Sequence, residues 1–221
     1  MAKQNSAAVE EGAVGTRRAI AFVVTSPSGG GKTTICRRLL ERDDQLRFSI
    51  SCTSRPPRTA ERDGIDYFFV SEEEFKERIE RGRFLEWALV HGHRYGTDRA
   101  LTEELLEGGH DVLMDIDIQG ADNVREAIPD CVRVFILPPS REVMTRRLRE
   151  RGTNGEEELE RRIGIAAEEM SMALNFDFAV VNDDLDTAVG EVEAIITAER
   201  LKLKRHPARV DKILRSFDLP I

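Results

Sequence analysis

The chain alternates between short apolar runs and stretches whose apolar residues recur at helical spacing. The apolar runs predict buried strands at 19–24, 112–117, 132–137 and 178–182. Helical stretches separate these runs, and the first of them follows Lys32. Strands that alternate with helices form a parallel sheet covered on both faces. The pattern therefore predicts an α/β fold built on a parallel sheet.

A different pattern occupies residues 51–97. Prolines interrupt its first turn, and the apolar run at 65–70 predicts a short strand. Ser71 followed by Glu74 is a capping box, which predicts a helix that ends at Gly82. We interpret this segment as an insertion with a small sheet of its own.

Composition and charge predict the bounds of the two tails, the lid and the core segments. Residues 1–17 are small and polar without a period, so we expect a disordered tail. The arginine-rich stretch 141–162 predicts a helical lid, whereas the basic tail 204–221 has no role that the pattern assigns. The parallel sheet and its helices then occupy 18–50, 98–140 and 163–203.

The bulk composition is that of one soluble α/β domain with insertions. Of 221 residues, 40% are hydrophobic and 33% charged, and no apolar run approaches the ~20 residues that cross a bilayer. The net charge of −8 argues against broad nucleic-acid binding. The widely spaced Cys36, Cys52 and Cys131 form no C-x-x-C pair, which is typical of a reducing compartment. We expect a cytoplasmic protein without membrane or nucleic-acid partners; a homo-oligomer stays open.

Small residues fill the turn between the first strand and the first helix, where the chain reads VVTSPSGGGKTT. The order of strand, glycine-rich turn and helix is that of a phosphate-binding loop, whose backbone N–H groups surround a nucleotide's phosphates. Lys32 would reach the β- and γ-phosphates, and the Thr33 hydroxyl would bind Mg²⁺. The general pattern begins with glycine, and this chain has Ser26 there.

Two acids, Asp115 and Asp117, end the apolar run at 112–117. In phosphate-loop enzymes an aspartate that assists the metal ion belongs to the nucleotide site. Ligands of parallel sheets also bind at the carboxyl ends of the strands. The alternative is that both acids only cap the strand and begin a turn.

Arginines form two further clusters. Arg55 and Arg58 lie in a turn stiffened by prolines, where they would form a fork for a doubly charged phosphate, with Tyr67 as an added donor. The second cluster resembles a mobile lid that brings positive charge onto a transferring phosphoryl group. It consists of Arg147, Arg151, Arg161 and Arg162. Solvated surface arginines are the plainer alternative for both clusters.

Taken together, these stretches resemble the guanylate kinase family from about residue 18 to 204. The resemblance is carried by SPSGGGKTT, SCTSRPPR, DGIDYFFVS, FLEWALVHGHRYGT, MDIDIQG, ILPPS, RLRERGT and VVNDDLD. It implies a P-loop kinase fold with a five-stranded parallel sheet, a small mixed β/α GMP-binding region at 51–97 and a lid at 141–162. It also implies reversible phosphoryl transfer from Mg·ATP to GMP, which gives ADP and GDP in purine nucleotide metabolism.

The resemblance further implies which residues form the substrate sites. The GMP phosphate would be held by Arg55, Arg58, Tyr67 and Tyr95, and the guanine by Ser51, Glu86, Thr97 and Asp117. ATP would be bound by Ser28, Gly29, Gly30, Gly31, Lys32, Thr33, Thr34 and, near the adenine, Asn182. The catalytic groups around the β- and γ-phosphates would be Lys32, Arg147, Arg151 and Arg162. The metal ion would be held by Thr33 and, through water, by Asp115.

Two alternative functions are compatible with much of this pattern. A non-catalytic guanylate-kinase-like module that binds protein partners would typically lack an intact ATP loop, whereas residues 29–33 are complete here. A kinase for another nucleoside monophosphate is disfavoured by Glu86 with Trp87 and by the Tyr-Gly-Thr stretch at 95–97.

Overall fold

A computed structural model describes residues 17–90, 92–150 and 156–218, without the side chains of 156–158. The strands are β1 (Ala21–Thr25), β2 (Leu46–Phe48), β3 (Cys52–Thr53), β4 (Phe68–Phe69), β5 (Phe84–Val90), β6 (His93–Asp98), β7 (Asp111–Asp115), β8 (Val132–Leu137) and β9 (Phe178–Val181). The α-helices are α1 (Lys32–Arg42), α2 (Glu72–Glu80), α3 (Arg99–Glu107), α4 (Ile118–Ala127), α5 (Arg141–Glu150), α6 (Glu156–Ser171), α7 (Leu185–Leu201) and α8 (Pro207–Arg215). Short 3₁₀ helices span Met172–Asn175 and Leu203–Arg205.

The central sheet has five parallel strands in the order β2-β7-β1-β8-β9, which confirms the predicted fold class. The apolar runs identified four of these strands. The run at 112–117 extends too far, because β7 ends at Asp115 and Asp117 is the N-cap of α4. The fifth strand, β2, has only three residues and left no periodic signal in the sequence.

Helices cover both faces of the central sheet. Successive side chains of a strand point to opposite faces, and β1 shows this alternation in a fully buried form. Phe22 and Val24 pack against residues of α1 and α7, whereas Ala21 and Val23 pack against residues of α4. The packed sheet is therefore a rigid support for the loops that follow the carboxyl ends of its strands.

The segment 51–97 contains a second sheet in the order β4-β3-β6-β5. β3 and β4 are parallel, and the other two pairs are antiparallel. The predicted strand at 65–70 is wrong in extent, since β4 begins only at Phe68. A turn precedes it, in which Gly64 has φ 72° and Asp66 N donates to Arg62 O at 3.0 Å. Turn hydrogen bonds thus replace strand pairing over the first half of this run.

The helix predicted from the capping box is confirmed as α2. Ser71 Oγ accepts a hydrogen bond from Glu74 N at 3.0 Å, which satisfies one of the free N–H groups of the first turn. The helix ends before Gly82, whose φ of 62° reverses the chain.

Helices α5 and α6 occupy the stretch predicted as a lid at 141–162. They pack together through the buried side chains of Met144, Leu148, Leu159 and Ala166. α6 runs without interruption to Ser171, so the expected boundary at 162 lies inside a helix. Arg151 and nearly all of the predicted N-terminal tail lie outside the described residues.

A buried carboxylate at the start of β7 joins the segment before β1 to the last turn of α7. Asp111 begins β7, is 0% exposed and accepts hydrogen bonds from Ile20 N at 2.8 Å and Arg200 Nε at 2.7 Å. Arg17 Nη1 and Nη2 donate to the same carboxylate at 2.6 and 2.5 Å. Two guanidinium groups therefore compensate one buried charge, far along β7 from Asp115.

The basic stretch after residue 204 is largely helical over its described part. It forms α8, and the buried guanidinium of Arg205 pairs with Asp130 at its base. None of the helices in the described ranges is long and apolar enough to cross a membrane.

Candidate active site

The predicted phosphate-binding loop joins β1 to α1 at the carboxyl edge of the central sheet. Gly29 and Gly31 have φ angles of 87° and 92°, a left-handed conformation that favours glycine. At Gly30 a Cβ atom would lie 2.7 Å from the Cβ of Ser26, so no side chain fits there. α1 has no acid in its first turn, where Thr34 is exposed, which leaves its positive end available to an anion.

Lys32, Thr33 and Asp115 meet at the carboxyl ends of β1 and β7. Lys32 Nζ lies 2.5 Å from Asp115 Oδ1 and donates to the carbonyl oxygen of Ile116 at 2.7 Å. Thr33 Oγ1 donates to Asp115 Oδ2 at 2.8 Å. Burial alone would lower the pKa of Lys32, but the charge and the hydrogen bond of Asp115, together with the nearby Cys36 and Asp117, outweigh burial and raise that pKa above its ordinary value. The lysine is therefore cationic at neutral pH.

The oxygen atoms beside Lys32 fit a magnesium ion. Mg²⁺ takes hard oxygen ligands, keeps several waters and binds through one or two carboxylates together with substrate phosphates. The Thr33 hydroxyl and the Asp115 carboxylate are such donors and lie side by side. Over the described ranges, no group of three or more His, Cys, Asp or Glu residues could hold a metal ion by itself. A cation here would depend on the phosphates of a nucleotide.

Two arginines of the lid helices lie against the phosphate loop. Arg162 Nη2 donates to Ser28 Oγ at 2.6 Å. Arg147 Nη2 donates to the backbone oxygen of Asn182 at 3.0 Å, while its Nη1 is shielded from solvent without a hydrogen-bond partner among the described residues. The Asn182 side chain is buried, and its Nδ2 donates to Gly30 O at 2.8 Å. The loop thus carries positive charge on its lid side.

A second cationic cluster lies in the small sheet. Arg55 Nε donates to the Tyr95 hydroxyl at 3.1 Å, and its guanidinium lies 5.5 Å from the centroid of the Tyr67 ring. Arg55 Nη2 donates to both oxygens of Glu61 at 2.9 and 3.0 Å, which lowers the pKa of Glu61. Arg58 is exposed, and its backbone N–H donates to the same carboxylate at 2.8 Å. The fold therefore brings the arginine turn and both tyrosines together.

A buried carboxylate marks the third part of the site. Glu86 is 6% exposed, and its Oε1 accepts a hydrogen bond from the Thr97 hydroxyl at 2.6 Å. Burial raises the pKa of Glu86 to about 7, and the charge of Asp117 adds to the rise. Glu86 Oε2 lies so close to Gly120 that a Cβ there would be 2.6 Å away. Asp117 Oδ1 accepts from Gly120 N at 2.7 Å, so it also caps α4.

Sequence reasoning missed two residues of this site. Glu61 orients Arg55, and an acid three residues after Arg58 in the same turn is a signal that could have identified it. Gly120 gives Glu86 its space, but nothing local distinguishes this glycine, because the contact joins separate elements. Ser51 lies half-buried directly before β3.

The three parts of the site lie within electrostatic range of one another. Burial raises the pKa of Tyr67, and the charge of Asp115 adds to the rise, while the charge of Lys32 acts on Glu86 in the opposite direction. A phosphate loop, a lysine–aspartate pair and a separate arginine–tyrosine cluster that act on one another define a P-loop phosphotransferase with two anion sites.

Comparisons with known proteins narrow this class. A family model described as guanylate kinase matches residues 18–199. The guanylate kinase of Sphingopyxis alaskensis is 53% identical over 190 residues, which cover 86% of each chain. That of Symbiobacterium thermophilum is 48% identical over 197 residues, which cover 89% of this chain and 93% of the relative. The crystal structure of guanylate kinase from Anaplasma phagocytophilum matches with a TM-score of 0.78 at 32% identity, over 93% of this chain and 99% of that one.

The chain belongs to the guanylate kinase family. The resemblance stated from the motifs is thereby confirmed, together with the P-loop kinase fold. Family membership favours an enzyme that phosphorylates a nucleotide over a non-catalytic module and over a kinase for a different monophosphate.

Proposed function

We propose that this chain transfers the γ-phosphoryl group of ATP to GMP, reversibly and by direct in-line displacement, giving ADP and GDP. The observation that carries the proposal is the presence of two separate cationic clusters, around Lys32 and around Arg55, within electrostatic range of each other. Holding donor and acceptor side by side converts a bimolecular encounter into a unimolecular step. The free thiols of Cys36, Cys52 and Cys131 are buried, which suits purine nucleotide metabolism in a reducing cytoplasm.

The donor site would be built around the phosphate loop. Its N–H groups and the positive end of α1 would surround the β- and γ-phosphates. Nη1 of Arg147, which has no hydrogen-bond partner within the described part of the chain, suits a phosphate oxygen, because a charged donor gains most from an anionic acceptor. ATP binding is assigned to Ser28, Gly29, Gly30, Gly31, Lys32, Thr33, Thr34 and Asn182. Stabilisation of the transition state is assigned to Lys32, Arg147, Arg151 and Arg162.

The acceptor site would combine the arginine turn with the buried carboxylate. Two guanidinium groups and two phenol hydroxyls match a phosphate with two negative charges; they belong to Arg55, Arg58, Tyr67 and Tyr95. Guanine presents its N1–H and 2-amino group as neighbouring donors, and an ionised carboxylate accepts both. The guanine would be held by Ser51, Glu86, Thr97 and Asp117.

The reaction needs no covalent intermediate and no general base. The attacking oxygen belongs to the phosphate of GMP, which is already largely ionised at neutral pH because its second pKa is ~6. Lys32 and the lid arginines would neutralise the charge that spreads over the transferring group. Thr33 and, through water, Asp115 would hold Mg²⁺, which supplies positive charge to the phosphate oxygens when bound.

A coupled assay of ADP release tests this function. The purified chain is offered ATP with GMP, AMP or UMP, and a reaction without any monophosphate measures simple hydrolysis of ATP. We expect kcat/KM for GMP to exceed the others by ~10⁴, as in sites built around buried hydrogen bonds. GMP binding without turnover would identify a binding module instead, and a preference for AMP or UMP would identify another kinase.

A further inference from the structure

Asn182 connects the phosphate loop to the central sheet. It directly follows β9, and its backbone N–H donates to Leu137 O at 2.8 Å, which continues the pairing of β8 and β9. Its side chain is 5% exposed, and Nδ2 donates to Gly30 O at 2.8 Å. The side chain therefore lies between a rigid strand end and the loop.

The bond to Gly30 matters for how the loop binds anions. A loop that directs its N–H groups towards phosphate must direct carbonyl oxygens away, and a buried carbonyl needs a donor. Asn182 supplies that donor. It also fills the space beside Gly31, where a Cβ would lie only 2.2 Å from Nδ2. Glycine at 31 is thus required both by its φ of 92° and by the neighbouring amide.

The main chain of the same residue holds a lid arginine. The backbone oxygen of Asn182 accepts from Arg147 Nη2 at 3.0 Å, and Arg147 Nη1 stays available for another acceptor. We infer that Asn182 is a positioning residue, which aligns Arg147 with the phosphate loop so that both meet the same phosphates. This inference rests on the proposed function. It differs from the expected contact with adenine, because the side-chain amide is buried and one of its N–H groups is engaged with Gly30.

The replacement Asn182→Asp tests the link to the loop. It keeps the shape but sets a carboxylate oxygen against Gly30 O, so the loop must shift. A displacement of ~1 Å near reacting groups can reduce the rate by 10². We expect kcat to fall by roughly 10- to 100-fold, with KM for GMP within about twofold of the parent. The control Asn175→Asp makes the same chemical change at an exposed site just before β9 and should leave activity unchanged.

Two phosphoryl donors that differ only in their base, ATP and inosine triphosphate, distinguish a positioning role of Asn182 from a contact with the base. A positioning role predicts that Asn182→Asp lowers kcat/KM for ATP and for inosine triphosphate by the same factor. It also predicts weaker binding of inorganic tripolyphosphate, measured by calorimetry. A loss confined to ATP, or an unchanged affinity for tripolyphosphate, would overturn the inference. Thermal unfolding of each variant checks the fold, and Asn182→Ala, which adds no repulsion, is the second variant.

A double-mutant cycle tests the link to Arg147. If the two residues act as one unit, Asn182→Ala should cost much less in an Arg147→Ala background than in the parent. If the fold-loss in activity of the double variant equals the product of the two single losses, the residues act independently and the proposed alignment is wrong. Failure of the proposed function is a different outcome: the parent chain would not phosphorylate GMP in the same assay, while the tripolyphosphate measurement would still report on the loop.

Discussion

Replacing Glu86 by glutamine changes one atom of the proposed guanine contact without changing its shape. One acceptor oxygen becomes an NH₂ donor, which would face the donors of guanine. Because Glu86 is 6% exposed, water cannot replace the lost hydrogen bond. An unsatisfied buried group costs ~1–3 kcal/mol, so kcat/KM for GMP should fall by ~10- to 100-fold. The KM for ATP should stay nearly unchanged.

The pH dependence of KM for GMP is a second test of the role of the Glu86 carboxylate. With a pKa of about 7, Glu86 is largely protonated at pH 6 and largely ionised at pH 8. KM for GMP should therefore rise by roughly tenfold between pH 8 and pH 6 through this group alone. The phosphate of GMP also titrates near pH 6, but its contribution persists in Glu86→Gln, so the difference between the two profiles isolates the carboxylate.

Raising the pH should improve GMP binding through Glu86 but lower the contribution of Glu86 to the free energy of unfolding. A carboxyl group whose pKa is raised on folding stabilises the protein below its unfolded pKa, and this contribution is lost as pH rises towards 7. The shift corresponds to about 3 kcal/mol at most. Urea unfolding should therefore show Glu86→Gln gaining stability relative to the parent between pH 5 and pH 8, by up to about that amount.

The assay compares GMP and AMP as acceptors for the parent, Glu86→Gln and a control. Glu80→Gln makes the same change at an exposed position of the 51–97 segment and should behave like the parent. Glu86→Gln should narrow the preference for GMP. If Glu86→Gln keeps the full preference for GMP over AMP, Glu86 does not bind the guanine. The same conclusion follows if KM for GMP depends on pH in this variant as it does in the parent down to pH 6.

Three further changes test other parts of the molecule. Lys32→Ala should lower kcat by ~10² to 10³, because one preorganised charge is worth ~3–4 kcal/mol, and near-normal turnover in a folded variant would exclude the proposed loop chemistry. Arg58→Met should raise KM for GMP much more than KM for ATP, while the exposed Arg62→Met should change neither; equal effects on both substrates would assign Arg58 to the fold. Asp111→Ala should lower the free energy of unfolding by ~1–3 kcal/mol, since it leaves the buried Ile20 N–H without its acceptor and removes one of the two carboxylates that pair with Arg200. Calorimetric melting measures that loss, and an unchanged melting temperature would contradict it.

Local chemistry explains what could be predicted from the sequence. The phosphate loop depends on neighbouring residues: an apolar strand, glycines with positive φ and a helix that begins at Lys32. The cap of α2 likewise involves Ser71 and Glu74, three positions apart. The strand β8 coincides with its apolar run from Val132 to Leu137, because burial on both faces leaves a continuous apolar signal.

Elements that depend on a distant partner were not predictable in this way. β2 is a strand only because Leu46 pairs with Asp111, and a three-residue stretch has no period of its own. The run at 65–70 has strand-like residues throughout, but the turn at Gly64 permits pairing with β3 only from Phe68. In both cases tertiary pairing outweighed intrinsic preference.

The sequence by itself determined the type of chemistry, since it contains a phosphate loop, acids after a strand and paired arginines. Only the tertiary structure decided which of these groups meet. Asn182 reaches Gly30 across 152 positions of the chain, and Thr33 reaches Asp115 across 82. Such contacts exist because the parallel sheet brings the carboxyl ends of its strands to one edge, whatever their separation in sequence. Burial of Glu86 between β5 and the start of α4 also raises its pKa, because neighbouring elements exclude solvent from the carboxylate.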